Sequence, residues 1–91
     1  MPEFIIEREL PGASKLSPQE QEEAVRASKE ILRDMGPDIR WLRSFVTDDK
    51  IYCVYFATEE ALIREHARRL NVPVSRIEIV RTMLDPEDFD S

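Results

Sequence analysis

The chain is poor in the residues that most often carry chemistry. It has one cysteine, one histidine, one tryptophan and two glycines in 91 residues. A single cysteine cannot close an internal disulfide, which excludes the disulfide-stapled architecture of small secreted domains. Gly12 and Gly36 stand too far apart to form a glycine loop that cradles phosphate. No apolar run approaches the roughly 18 residues of a membrane helix. The opening Met1-Pro2-Glu3 is acidic, and Phe4 to Ile6 is too short for the core of a signal peptide. These absences predict a cytoplasmic protein with no membrane contact. Bases are also scarce: 13 Lys and Arg face 19 Asp and Glu, a net charge of −6. That balance argues against nucleic acid as a partner, because no basic surface dominates. H-E-x-x-H, C-x-x-C and the acidic calcium loop are all missing.

What remains describes a folded chain. Hydrophobic residues make up 42% and charged residues 35%, and the length suits a single domain over 1–91. A domain of this size buries only roughly two-thirds of its unfolded surface, so its core is modest and self-association would hide more.

Hydrophobic periodicity sets out the elements. Phe4 to Arg8 reads as a strand, stopped by Pro11-Gly12. Ser17, Pro18 and Glu20 form an S-x-x-E helix start with proline at the first helical position. Ala24, Val25, Ser28, Ile31, Leu32 and Met35 follow at helical spacing, and Gly36-Pro37 ends the helix. Ile39 to Thr47 alternates as a strand: Ile39, Trp41, Arg43 and Phe45 fall on one face, Arg40, Leu42, Ser44 and Val46 on the other. Asp48-Asp49 supplies a hairpin turn. Ile51 to Ala57 is apolar on both faces, as a central strand is. A second helix starts at Thr58, carries an inner stripe of Ala61, Leu62, Ile63, His66, Ala67 and Leu70, and ends at Asn71 before Pro73. Ile77 to Met83 is the last strand, and 84–91 is an acidic tail. The order β-α-β-β-α-β predicts the α+β, ferredoxin-like plan: an antiparallel sheet with two helices on one face and the other face bare. A bare face carrying Trp41 or Tyr52 is too apolar for solvent, which predicts a homodimer that buries sheet against sheet or adds strands edge to edge.

The turn–strand–helix unit from Thr47 to Ala67 holds both Cys53 and His66. His66 is a candidate metal ligand or general base, with Glu65 beside it and Glu59 about two helical turns before it. The competing reading is a satisfied core histidine, the commoner fate of one without clustered ligands. Cys53, Tyr55, Trp41 and Tyr52 are candidates to line a pocket. For Cys53 the plainer reading is an inert core thiol. The Asp48-Asp49 pair and the tail acids Asp85, Glu87, Asp88 and Asp90 offer hard oxygen donors, though Asp48-Asp49 is first a turn.

Four stretches, FIIERELPGA, GPDIRWLRSFVTDDKIYCVYFA, IREHA and I-x-x-V-R-T-x-x-D-P, resemble a family of small bacterial proteins over Pro2 to Pro86. That family is mostly of unknown function and includes a nickel-binding protein. The resemblance implies a ferredoxin-like subunit, a dimer and Ni²⁺ as the metal. Three functions stand side by side. The first is a small dimeric nickel-binding protein without catalytic activity. The second is a cofactor-free enzyme or carrier of an apolar ligand, with a pocket around His66. The third is an interaction module whose side chains only pack.

Overall fold

The computed structural model describes residues 1–89. Strands β1 (Glu3–Glu9), β2 (Ile39–Val46), β3 (Lys50–Ala57) and β4 (Arg76–Ile79) and helices α1 (Pro18–Met35) and α2 (Glu60–Leu70) follow one another as β-α-β-β-α-β. Short 3₁₀ turns occupy Ala13–Lys15 and Pro86–Asp88. The strands form one sheet in the order β2-β3-β1-β4, with every neighbouring pair antiparallel. The protein is therefore α+β, with two helices on a four-stranded sheet.

The start of α1 is built as the sequence predicts. Ser17 Oγ accepts from the Glu20 amide at 3.1 Å, and Glu20 Oε1 accepts from the Ser17 amide at 3.0 Å. Gly36 ends the helix at φ +87, a backbone angle that L side chains rarely take. Asn71 closes α2 at φ 58.

Two boundaries and one register differ from expectation, each for a local reason. The N-cap of α2 is Glu59, not Thr58, and its side chain makes no cap bond. The Thr58 amide is committed instead to the Asp38 carbonyl at 3.0 Å, which ties it to the entry of β2. β4 stops at Ile79 rather than Met83. It pairs only with β1, and the pairing runs out when the Val80 amide reaches the Glu3 carbonyl at 2.8 Å. The register of β2 against β3 slips between Trp41 and Arg43, leaving Leu42 as the extra residue of a bulge. The alternation of β2 therefore reverses after Trp41. Ser44 and Val46 join Ile39 and Trp41 on the helix-covered face, while Arg43 and Phe45 turn to the other.

The core lies between the helices and the sheet: Phe4, Ile6, Ile39, Cys53, Tyr55, Ala57 and Ile63. The opposite face carries Ile5, Phe45, Tyr52, Val54 and Phe56, set side by side by the strand register. Phe45 is 55% exposed and Ile5 42%. Trp41 faces the helices, so Tyr52 rather than Trp41 belongs to the bare face. Among the described residues no helix is long and apolar enough to cross a membrane. The acidic tail is described to Phe89, where Asp85 caps the last 3₁₀ turn through the Glu87 amide; positions 90 and 91, with the predicted oxygen donor Asp90, lie outside the described residues.

Candidate functional site

Helix α1 buries little of itself: along its 18 residues only Ser28 is fully buried. Its inward positions Ala24 and Ser28 are one helical turn apart and small. The sheet opposite them offers Ser44 and Cys53, also small. Short side chains on both walls leave space, and a cavity of about 290 Å³ opens between the first half of α1 and the sheet. Trp41, Val25, Ile51 and Leu70 form much of its apolar lining. Trp41 stacks on Tyr55 with ring centroids 6.5 Å apart and planes 20° from parallel. The Trp41 indole N–H donates to Ser44 Oγ at 2.9 Å, and that hydroxyl donates to Cys53 Sγ at 3.0 Å. The bulge at Leu42 makes this chain of bonds, because it brings Ser44 onto the face that Trp41 occupies. A separate hollow of about 320 Å³ along Lys29, Arg33 and Arg40 is an open surface dip.

Arg8 reaches the cavity from β1. Alternation from Phe4 and Ile6 puts it on the core face, and only 6% of it is exposed. Its Nη1 donates to the Pro73 carbonyl at 2.7 Å. Its Nη2 is buried and hydrogen-bonds to no atom of the described residues. No carboxylate among them forms an ion pair with it.

His66 is sealed from solvent at 0% exposure. Its Nε2 lies 3.1 Å from Ser28 Oγ and its Nδ1 3.4 Å from Tyr55 Oη. With the proton on Nε2, the ring donates to Ser28 and accepts from the tyrosine hydroxyl, which satisfies both nitrogens. Burial lowers the His66 pKa to about 4, reinforced by the Arg8 charge, so the ring is neutral at pH 7. Burial likewise pushes Tyr55 up to about 12, aided by Cys53 and opposed by Arg8, so the phenol keeps its proton. His66 lies behind the cavity wall and acts through others: it positions Ser28 and Tyr55, which line the cavity themselves.

The predicted metal set does not assemble. Glu65 is held outside by Arg68 at 2.7 and 2.8 Å and by Arg69 at 2.8 Å. Those hydrogen bonds, Arg68 first, take its carboxyl down to about 2. Glu59 is exposed at the helix start. Among the described residues no group of three or more His, Cys, Asp or Glu is placed to hold a metal ion. His66, with both nitrogens engaged, does not fit a nickel ion. Asp49 is occupied as well, accepting from the Gly12 amide at 2.9 Å. Of the four predicted pocket residues, Trp41, Cys53 and Tyr55 line the cavity; Tyr52 does not, because β3 alternation turns it to the bare face beside Glu7 and Phe45.

Fold and site together define a small α+β domain with a ligand-sized hollow under α1, aromatic on one side and cationic on another. Residues 4–80 match the nickel responsive protein SCO4226-like family, and the chain belongs to that family. The crystal structure of SCO4226 from Streptomyces coelicolor A3(2) is similar to it, with a TM-score of 0.75 and 13% identity over 90% of this chain and 99% of that one. At that identity the likeness carries the fold alone. No protein of curated function matches the chain.

Proposed function

We propose that this protein is a ferredoxin-like, small-molecule-binding member of a nickel-responsive family, and that it holds an apolar ligand in the cavity between α1 and the sheet. The β-α-β-β-α-β order with sheet order β2-β3-β1-β4 supports the fold name. The observation that carries the function is the cavity itself. It is about 290 Å³, near the small end of ligand pockets, walled by the Trp41–Tyr55 stack, and kept open by small residues on both sides. The family name points to a metal-related role. The occupied nitrogens of His66 argue against a ligand set centred on that residue.

The test uses tag-free protein, since a polyhistidine tail binds nickel by itself. Phenylacetamide, a neutral aromatic probe, is expected to change Trp41 fluorescence saturably. Val25→Phe, which fills the cavity mouth and leaves Trp41 the single tryptophan, is expected to weaken that binding by at least about tenfold, a loss of ~1.4 kcal/mol. In calorimetric titration with Ni²⁺, His66→Gln is expected to match the parent protein. No saturable response to phenylacetamide would overturn the pocket; loss of nickel heat in His66→Gln would restore the histidine as a ligand.

We further propose that the working form is a homodimer covering the bare sheet face. Ile5 and Phe45 are its exposed apolar centre. The face also carries charge of both signs: Glu7 pairs with Lys50 and Glu78 with Arg76, while Glu3 on β1 and Arg40 and Arg43 on β2 form no ion pair among the described residues. An isologous pairing can set that glutamate against those arginines. Phe45→Glu is expected to shift the sedimentation mass from dimer to monomer while far-UV circular dichroism stays unchanged. A monomeric parent protein at ~100 µM, far above the Kd of a specific dimer, would contradict this.

A further inference from the structure

Burying a guanidinium without an anionic partner is unfavourable by several kcal/mol. Arg8 is nonetheless almost wholly buried, at the wall of a mostly apolar hollow whose other polar side chains, Gln21, Ser28, Ser44 and the Tyr55 phenol, carry no charge. One of its terminal nitrogens is spoken for by Pro73; the guanidinium lies near enough to the Tyr55 hydroxyl to temper the rise of its pKa, yet the second terminal nitrogen makes no hydrogen bond in the described chain. The nearest functional groups offer no compensating charge, since Tyr55 stays a phenol and His66 a neutral imidazole. Glu7, the adjacent carboxylate in sequence, points to the other side of the sheet and pairs with Lys50 at 3.4 Å. We propose that the free Arg8 nitrogen is the anchor of an anion site, and that the cavity takes a small monocarboxylate with an apolar, aromatic body. This rests on the pocket reading above and specifies its ligand.

The geometry supports each half of that ligand. A carboxylate against Nη2 supplies the missing acceptor and cancels a buried charge, and charge-assisted bonds of this kind are the stronger sort. The body then lies along the Trp41–Tyr55 stack, where a ring finds a flat apolar wall. A volume of about 290 Å³ admits roughly ten non-hydrogen atoms at about 30 Å³ each. That is the size of an aryl acetate. A dicarboxylate or a nucleotide is excluded, because the first would bury a second, unmatched charge and the second is too large.

The test compares two probes of nearly identical shape, phenylacetate and phenylacetamide, on the intact chain, with Trp41 fluorescence as readout. At pH 7.5 the acid is expected to bind roughly tenfold tighter or more than the amide. Arg8→Gln is expected to abolish the preference; Arg8→Lys, which keeps the charge, is expected to retain part of it. Equal affinities for acid and amide in the parent protein would overturn the anion site and leave the pocket standing. Failure of both probes to saturate below about 10 mM would remove the pocket and the anion site together. A preference that survives in Arg8→Gln would place the anion elsewhere. If Arg8→Gln does not fold, the parent comparison and Arg8→Lys decide.

Discussion

Acidification from pH 7 to pH 4 is expected to remove about 3 kcal/mol of folding stability through one residue, His66. Its pKa is 6.5 in an unfolded chain and about 4 in the fold, where burial first and the Arg8 charge second oppose the imidazolium. The folded value lies below the unfolded one, so the stabilisation is complete above pH 6.5. It drains away as pH falls through that window, because the unfolded chain takes up a proton that the folded chain refuses. Below pH 4 the slope from this group vanishes. The two groups bonded to His66 do not titrate here: Ser28 is a hydroxyl, and Tyr55 ionises near 12. Glu65, held down to about 2 from 4.5, and Glu20, also lowered by its bonds to Ser17, add to the slope only as pH falls below about 4.5, so the interval from 6.5 to 5 isolates His66. Urea unfolding at half-unit steps of pH measures the slope. His66→Gln is expected to be less stable at pH 7.5 by ~1–3 kcal/mol, since Ser28 and Tyr55 lose a well-placed partner. It is also expected to flatten the curve between pH 6.5 and 4. An unchanged slope in that variant would mean that His66 is not the titrating group.

Ile6→Ala is expected to cost about 2–5 kcal/mol. Ile6 has 0% exposure, pairs with Cys53 on one side and Ile77 on the other, and belongs to the core cluster. A chain of this length has a total stability of about 5–13 kcal/mol, so the loss is a large share of it. Thermal unfolding should show a fall of roughly 10–30 °C. Ile5→Ala, one residue away, should cost under ~1 kcal/mol in dilute solution, because the strand turns Ile5 to the bare face. Equal effects at the two positions would contradict the assignment of faces.

Much of the fold was legible because its signals are local. Ser17, Pro18 and Glu20 start a helix by bonds made within four residues, and Gly36, Asn71 and Pro73 end helices the same way. The inner stripe placed His66 against the sheet correctly. The bulge at Leu42 was not legible, since perfect alternation over Ile39 to Val46 conceals a slipped register. It therefore hid the bond from Trp41 to Ser44. The length of β4 depended on where β1 begins, at Glu3, which Ile77 to Met83 does not encode by itself. Arg8 was the important omission. Alternation from Phe4 and Ile6 already put it on the core face, but an arginine after Glu7 reads as the polar end of a strand. The cavity gave no periodic signal either. It arises because Ala24, Ser28, Ser44 and Cys53 are all small and happen to face one another, a coincidence that only the folded chain brings about.

The most direct measurement of the central claim is a two-dimensional amide and indole NMR titration with phenylacetate. A ligand seated beside Arg8 predicts saturable shifts at the Trp41 indole N–H and the amides of Arg8, Ser28, Ser44, Cys53 and Tyr55, with Ile5, Phe45, Tyr52 and Val54 unmoved. Shifts confined to the bare sheet face, or none at all, would contradict a ligand-binding cavity under α1.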